Sequence, residues 1–198
     1  MVDAERDSDE AASHRPPQGP PILVLLAMYA VVGCALTVLA SLTGQVPDPD
    51  VALRPRDFAL PIFDLGVFAL AYQVLDVLGP INAAGRHGTF LANRFATCNE
   101  KIPEEYVRAV RAQANQVEQF APFAVVLLGA TFSLGGLVSG GAGAVWVLLR
   151  IRYGVHYRRT NDGISAYTIP CYMVVGGLAA ACLIGSGRLL CDSVSSAL

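Results

Sequence analysis

The segment YVRAVRAQANQVEQFAPF, from Tyr106 to Phe123, begins as a polar stretch and continues directly into the apolar run 124–137. Read as one helix, it places Arg111, Asn115 and Glu118 at positions i, i+4 and i+7, which puts all three on one face. Ionisable groups in a membrane helix are costly unless they pair, reach the interface or hold a ligand. The segment therefore predicts a helix that enters a membrane with a row of polar side chains at its end.

A second segment, LLRIRYGVHYRR from Leu148 to Arg159, closes another apolar run with a second polar row. Here Arg150, Tyr153 and Tyr157 stand at i, i+3 and i+7 and again share a helix face. One helix begins with its row and the other ends with its row. We therefore expect both rows on the same side of the membrane.

The composition is typical of an integral membrane protein. Of 198 residues, 54% are hydrophobic and 15% are charged, against roughly 25% charged in soluble domains. The basic residues lie at helix ends and form no separate patch, so no nucleic-acid partner is expected. Three of the five cysteines lie inside apolar runs, and none has metal-ligand spacing, so we expect neither a metal site nor a catalytic or disulfide-bonded cysteine.

The apolar runs predict five membrane spans, at 21–44, 58–84, 103–137, 144–159 and 165–189. Residues 1–20 are acidic and then proline-rich, which predicts a disordered tail. The glycine-rich segment 135–143 predicts the turn between the third and fourth spans. Asp64 and Asp76 lie about 120° apart around a regular helix axis, so we do not expect a carboxylate pair.

Lysine and arginine residues are concentrated on one predicted side of the membrane. That side holds Arg6, Arg15, Arg86, Arg94, Lys101, Arg108, Arg111, Arg150, Arg152, Arg158 and Arg159. The opposite side holds only Arg54, Arg56 and Arg188. The positive-inside rule places the arginine-rich side in the cytoplasm.

The two polar rows favour a small zwitterionic ligand with several carboxylates. Arginine forks pair with carboxylates, often through two hydrogen bonds, and Glu118 offers a partner for an ammonium group. Tyr153 and Tyr157 can hydrogen-bond or stack. An alternative stays open, because arginine and tyrosine at helix ends are also ordinary interface anchors, and Arg111 and Glu118 can pair within their own helix.

With these residues in view, the chain resembles the MAPEG family of membrane proteins in eicosanoid and glutathione metabolism, such as microsomal glutathione transferases and leukotriene C synthase. The resemblance rests on RAQANQVEQFAPF (Arg111 to Phe123) and RIRYGVHYRR (Arg150 to Arg159). It implies an all-α fold, a four-helix membrane bundle over residues 58–189, with residues 21–44 as an additional N-terminal transmembrane helix. It also implies a homotrimer in the lipid bilayer that binds glutathione between subunits and admits a lipophilic small molecule.

Transferred position by position, the resemblance implies that seven residues bind glutathione: Arg111, Gln113, Asn115, Glu118, Arg150, Tyr153 and Tyr157. The catalytic family members also place an arginine near the start of the last helix, where it stabilises the glutathione thiolate. Here that region reads NDGISAYT and has no arginine. The candidates to replace it are Arg158, Arg159, Arg86 and Arg94. A second departure is Gln119, where the leukotriene synthase pattern has tyrosine.

Two functions follow as expectations. The first is a glutathione-dependent transferase or peroxidase that acts on a lipophilic electrophile or lipid hydroperoxide. The second is a non-catalytic member that binds a lipid or serves as a scaffold subunit, favoured by the missing arginine and the extra span. A channel or transporter has less support, from the intramembrane residues Asp64 and Asp76. If the organism is eukaryotic, the expected location is the endoplasmic reticulum or another endomembrane.

Overall fold

A computed structural model describes residues 22–47, 53–86, 103–160 and 164–197, without the side chains of 84–86, 164–165 and 196–197. All regular structure in these ranges is helical, which confirms the predicted all-α class. The elements are α1 (Ile22–Leu42), a 3-10 turn (Pro55–Phe58), α2 (Ala59–Ala71), a π-helical turn (Tyr72–Val77), α3 (Leu78–Arg86), α4 (Glu104–Arg159) and α5 (Ile164–Ala197). The predicted tail, 1–20, lies outside the described residues.

Helix α4 is a hairpin of two antiparallel arms. Its direction reverses at Gly135, where φ is 75° and ψ is 163°, a conformation that is essentially restricted to glycine. We call residues 104–134 the first arm and residues 136–159 the second arm. Four described helices are long and apolar enough to cross a membrane, and α4, which doubles back, supplies two antiparallel arms to the bundle.

The turn of this hairpin is much shorter than the predicted turn segment 135–143. Helix resumes at residue 136, and three of the remaining glycines, Gly136, Gly140 and Gly143, serve close packing instead. A Cβ at Gly136 would overlap the backbone of Asp57, and one at Gly140 would lie 2.5 Å from Leu60 Cγ. The reversal at Gly135 lies within the predicted segment, but the predicted turn was too long, because glycine is required both for tight turns and for close helix contacts.

Aromatic rings fill the centre of the bundle and join the two arms to α2. Phe123 stacks on Trp146 with ring centroids 3.7 Å apart, and Phe68 from α2 lies 5.2 Å from Trp146. Phe120 stacks on Phe68 with ring centroids 5.2 Å apart. These contacts pack the middle of the first arm against the middle of the second arm and against α2.

The additional N-terminal helix, α1, packs directly on α5 of its own chain. Gly33 is buried, and a Cβ at this position would lie 2.6 Å from Ala180 Cβ and 3.0 Å from the Gly177 oxygen. Small residues of this kind let membrane helices approach closely. Helix α1 is therefore an integral part of the bundle.

The π-helical turn changes the register of the second span. Asp64 and Asp76 are both 3% exposed, and both face the second arm, Asp64 at Gly143 and Asp76 at Gly154. A regular helix would have placed them on different faces, but the wider π turn rotates the residues that follow it. The expected separation of their faces is therefore wrong. The two carboxylates still form no pair, because the glycines they face stand about 16 Å apart along the second arm.

Candidate functional site

Arg150 is the buried centre of the polar end of the bundle. Its Nε donates to Gln116 Oε1 at 2.8 Å, and its Nη2 donates to the backbone oxygen of Asn115 at 2.7 Å. Gln116 Nε2 donates back to the Arg150 backbone oxygen at 3.0 Å. Cys171, from α5, is buried and lies near the guanidinium. This arginine, 3% exposed, therefore ties the two arms together.

The two sequence motifs meet at Asn115 and Tyr153. Asn115 Nδ2 donates to the Tyr153 hydroxyl at 2.8 Å, and the Arg150 guanidinium lies 4.6 Å from the centre of the Tyr153 ring. The ring of Tyr157, which is half-buried, lies 5.6 Å from that of Tyr153. The structure thus brings Asn115, Arg150, Tyr153 and Tyr157 into one cluster.

Two other predicted site residues, Arg111 and Glu118, are exposed on the first arm. Among the described residues they form no ion pair with each other. The exposed charges of Arg111 and Glu118 flank the half-buried Asn115, as the i, i+4, i+7 spacing predicts. Gln113 points to a different neighbour and donates to the Tyr72 hydroxyl at 3.3 Å. The first arm therefore presents a cation, an amide and an anion in a row.

The arginines considered for thiol activation differ in their environments. Arg158 Nη1 donates to Asp76 Oδ1 at 2.5 Å, and the two side chains are 17% and 4% exposed. Arg158 is thus committed to a buried ion pair, whereas the neighbouring Arg159 is exposed. Arg86 ends α3, but its side chain, like the whole of Arg94, lies outside the described residues.

A polar hollow of about 390 Å³ opens beside this ion pair, between α3 and both arms of α4. Arg158, Arg159, Asn82 and Glu105 contribute its polar walls, and small or apolar residues form the remainder. An apolar hollow of about 190 Å³ lies between the first arm and the junction of α2 with the π turn, lined by Phe68, Ala69, Tyr72, Gln73, Val117 and Phe120.

The buried cluster holds more positive than negative charge. The Asp76 carboxylate pairs with Arg158 and also attracts the charge of Arg150 electrostatically. Within the described part of the chain, two guanidinium groups thus share one buried carboxylate. Charges in a low-dielectric interior interact strongly, so an anion bound at the edge of the cluster would be stabilised.

Sequence reasoning missed two members of this cluster. Gln116 stands one position from the Arg111, Asn115 and Glu118 row, on the side of the helix that meets the second arm. A buried glutamine requires hydrogen-bond partners, and this was the available signal. Asp76 was noted as an intramembrane carboxylate, but its partner Arg158 is 82 residues away.

Metal and disulfide chemistry find no support in the described ranges. No group of three or more histidine, cysteine, aspartate or glutamate side chains in these ranges could hold a metal ion. Cys34, Cys171, Cys182 and Cys191 are free thiols, and Cys98 lies outside the described residues.

Comparison with known proteins identifies one family. The profile of the MAPEG family matches residues 65–186. This range contains both polar rows, Asp76, Gln116 and most of α5, and it leaves α1 outside. No curated protein matches the chain.

Proposed function

Because the chain belongs to the MAPEG family, we propose that it is a glutathione-dependent membrane transferase or peroxidase. Membership at this level indicates a membrane protein of glutathione or lipid metabolism. The proposal of a glutathione-dependent activity depends on one observation: Asn115 Nδ2 donates a hydrogen bond to the Tyr153 hydroxyl and so joins the two polar rows. This contact makes the rows one binding surface.

The chemistry of glutathione matches this surface group by group. Glutathione carries two carboxylates, one ammonium group and a thiol. Arg111 is exposed and available to a carboxylate, and Glu118 is exposed and available to the ammonium group. Asn115, Tyr153 and Tyr157 supply neutral hydrogen-bonding groups between them. The excess positive charge behind them, from Arg150 and Arg158, favours the thiolate over the thiol.

In the transferase reaction, the thiol proton leaves to solvent and the thiolate attacks an electrophilic carbon of the second substrate. A sulfur–carbon bond forms, and the leaving group departs with the electron pair of the bond that breaks. A lipophilic substrate reaches the site from the bilayer. We propose that the active form is a homotrimer in an endoplasmic or other endomembrane, as the family pattern implies.

Conjugation of glutathione to a chlorinated dinitrobenzene by the purified protein tests this proposal. We expect Arg111→Ala to lower kcat/KM at least about tenfold, since it removes a charged hydrogen bond. Arg188→Ala is the matched control, because Arg188 is also exposed but lies at the opposite end of the bundle. Equal activity of wild type and Arg111→Ala would remove the proposed site.

A second function, non-catalytic lipid binding, is favoured by two observations. Arg158 is held by Asp76, and an apolar hollow lies beside Phe68 and Phe120. Calorimetry with glutathione separates the two functions. No binding of glutathione by the wild-type protein would favour the lipid-binding scaffold.

A further inference from the structure

Gln116 is a neutral side chain in a position where a carboxylate would be the usual partner of an arginine. It is 1% exposed and accepts from Arg150 Nε at 2.8 Å. Its other end donates to the Arg150 backbone oxygen at 3.0 Å. Both ends of the amide are thereby used to fix one arginine. A glutamine can hold a guanidinium in this way without cancelling its charge.

The surroundings of Gln116 are built around it. Gly154 faces it from the second arm, and a Cβ there would lie 2.8 Å from Gln116 Nε2 and 3.2 Å from Asp76 Oδ1. Asp76, the carboxylate of this cluster, is already bound by Arg158 at 2.5 Å. Arg150 is therefore held in place by neutral groups, and its charge is only partly balanced by Asp76.

We propose that Gln116 is a positioning residue that fixes Arg150 while leaving its positive charge only partly compensated, so that an anionic group of the ligand completes the cluster. This inference depends on the proposed function, and it concerns how the same site selects an anion. Gln116 influences ligand binding through Arg150, which contacts Asn115 and Tyr153. These two residues lie at the edge of the cluster, where a ligand can reach them. Gln116 itself does not contact the ligand.

Two variants of Gln116 separate its effect on the position of Arg150 from its effect on the charge of the cluster. Gln116→Leu removes the acceptor of Arg150 Nε and releases the guanidinium. Gln116→Glu keeps that acceptor, replaces the Nε2 donor to the Arg150 backbone oxygen and adds a carboxylate, so two guanidinium groups then face two carboxylates. Gln45→Glu is the matched control, because it makes the same substitution beside Gly135, at the opposite end of the bundle.

The single tryptophan of the chain reports the position of Arg150 without any ligand. The guanidinium lies 5.7 Å from the centre of the Trp146 ring. We expect Gln116→Leu to shift the Trp146 emission spectrum, whereas Gln116→Glu should keep the wild-type spectrum. Unchanged emission in Gln116→Leu would overturn the positioning role.

Glutathione affinity reports the charge. If the cluster carries excess positive charge, Gln116→Glu weakens glutathione binding about tenfold, whereas Gln45→Glu leaves the affinity unchanged. A loss of affinity in Gln116→Glu no larger than that in Gln45→Glu would overturn the inference. If wild type binds no glutathione, the proposed function fails, while the Trp146 emission of Gln116→Leu still decides whether Gln116 positions Arg150.

Discussion

Asp76 and Arg158 form an ion pair at 2.5 Å although 82 residues separate them in sequence. The pair joins the π turn after α2 to the last turns of the second arm. It lies beside Gln116, since a Cβ at Gly154 would meet Gln116 Nε2, Asp76 Oδ1 and Arg158 Nη1 within 4 Å. The ion pair is buried and contacts the cluster through Gln116, so its loss should lower stability first.

Replacing Arg158 by alanine leaves the Asp76 carboxylate buried and unpaired. Removal of one partner of a buried ion pair typically costs about 3 kcal/mol or more. We expect Arg158→Ala to lower the free energy of unfolding by that amount in a denaturant titration in detergent. Arg159→Ala is the control, because Arg159 is exposed and surface substitutions usually change stability by less than about 0.5 kcal/mol. Equal stability of the two variants would contradict the assigned ion pair.

Close approach at Gly154 gives a second prediction. Gly154→Ala would press its methyl group against Gln116 and Asp76, and we expect a loss of about 1–3 kcal/mol. Gly141→Ala should instead stabilise the protein. Nothing lies within 4 Å of the new methyl group, and alanine is favoured over glycine in a helix by about 0.5–1 kcal/mol. Thermal unfolding of both variants would test the pair. A stabilised Gly154→Ala would show that the cluster is looser than described.

Sequence spacing was sufficient to place Arg111, Asn115 and Glu118 on one face and to bring both polar rows to the same end of the bundle. Such spacing depends only on the helix period. Residue spacing could not predict the π turn, because no residue pattern in YQVLDV distinguishes a π turn from an α-helix. The sequence also could not predict which residues Gln116 and Asp76 contact. They depend on how the second arm rotates against α2 and the first arm, which the core contacts of Trp146 determine.

The packing of α1 on α5 predicts a large effect at Gly33. Gly33→Leu would force α1 away from Ala180, whose Cβ lies 2.6 Å from the position of a new Cβ. We expect a loss of about 1–3 kcal/mol. Gly66→Leu, also in a membrane span but with nothing within 4 Å, should leave stability unchanged. If the two variants unfold at the same temperature, α1 contributes no stability to the bundle.

A substitution at Asp64 is expected to increase the stability of the protein, unlike the substitutions at Arg158, Gly154 and Gly33. Its side chain is buried, and Oδ2 has no hydrogen-bond partner among the described residues. A neutral amide costs less to bury than a carboxylate, so we expect Asp64→Asn to stabilise the protein by about 1 kcal/mol. Asp192→Asn, at an exposed position of α5, should be neutral. A destabilised Asp64→Asn would indicate that the carboxylate has a partner or a role beyond packing.

The two tyrosines of the second arm should separate stability from ligand binding. Tyr153 is buried and its hydroxyl accepts from Asn115 at 2.8 Å, so Tyr153→Phe leaves the Asn115 amide without this partner. We expect it to lose about 1 kcal/mol of stability and to bind glutathione more weakly. Tyr157 is half-buried, and no hydrogen bond of its hydroxyl is found within the described residues. Tyr157→Phe should therefore keep the unfolding temperature while it weakens glutathione binding about fivefold, the expected loss of one hydrogen bond to a ligand. Calorimetry and thermal unfolding on the same preparations give both quantities. If Tyr157→Phe binds glutathione like wild type, the ligand does not reach the end of the second arm, and the proposed surface is confined to the first arm and Tyr153.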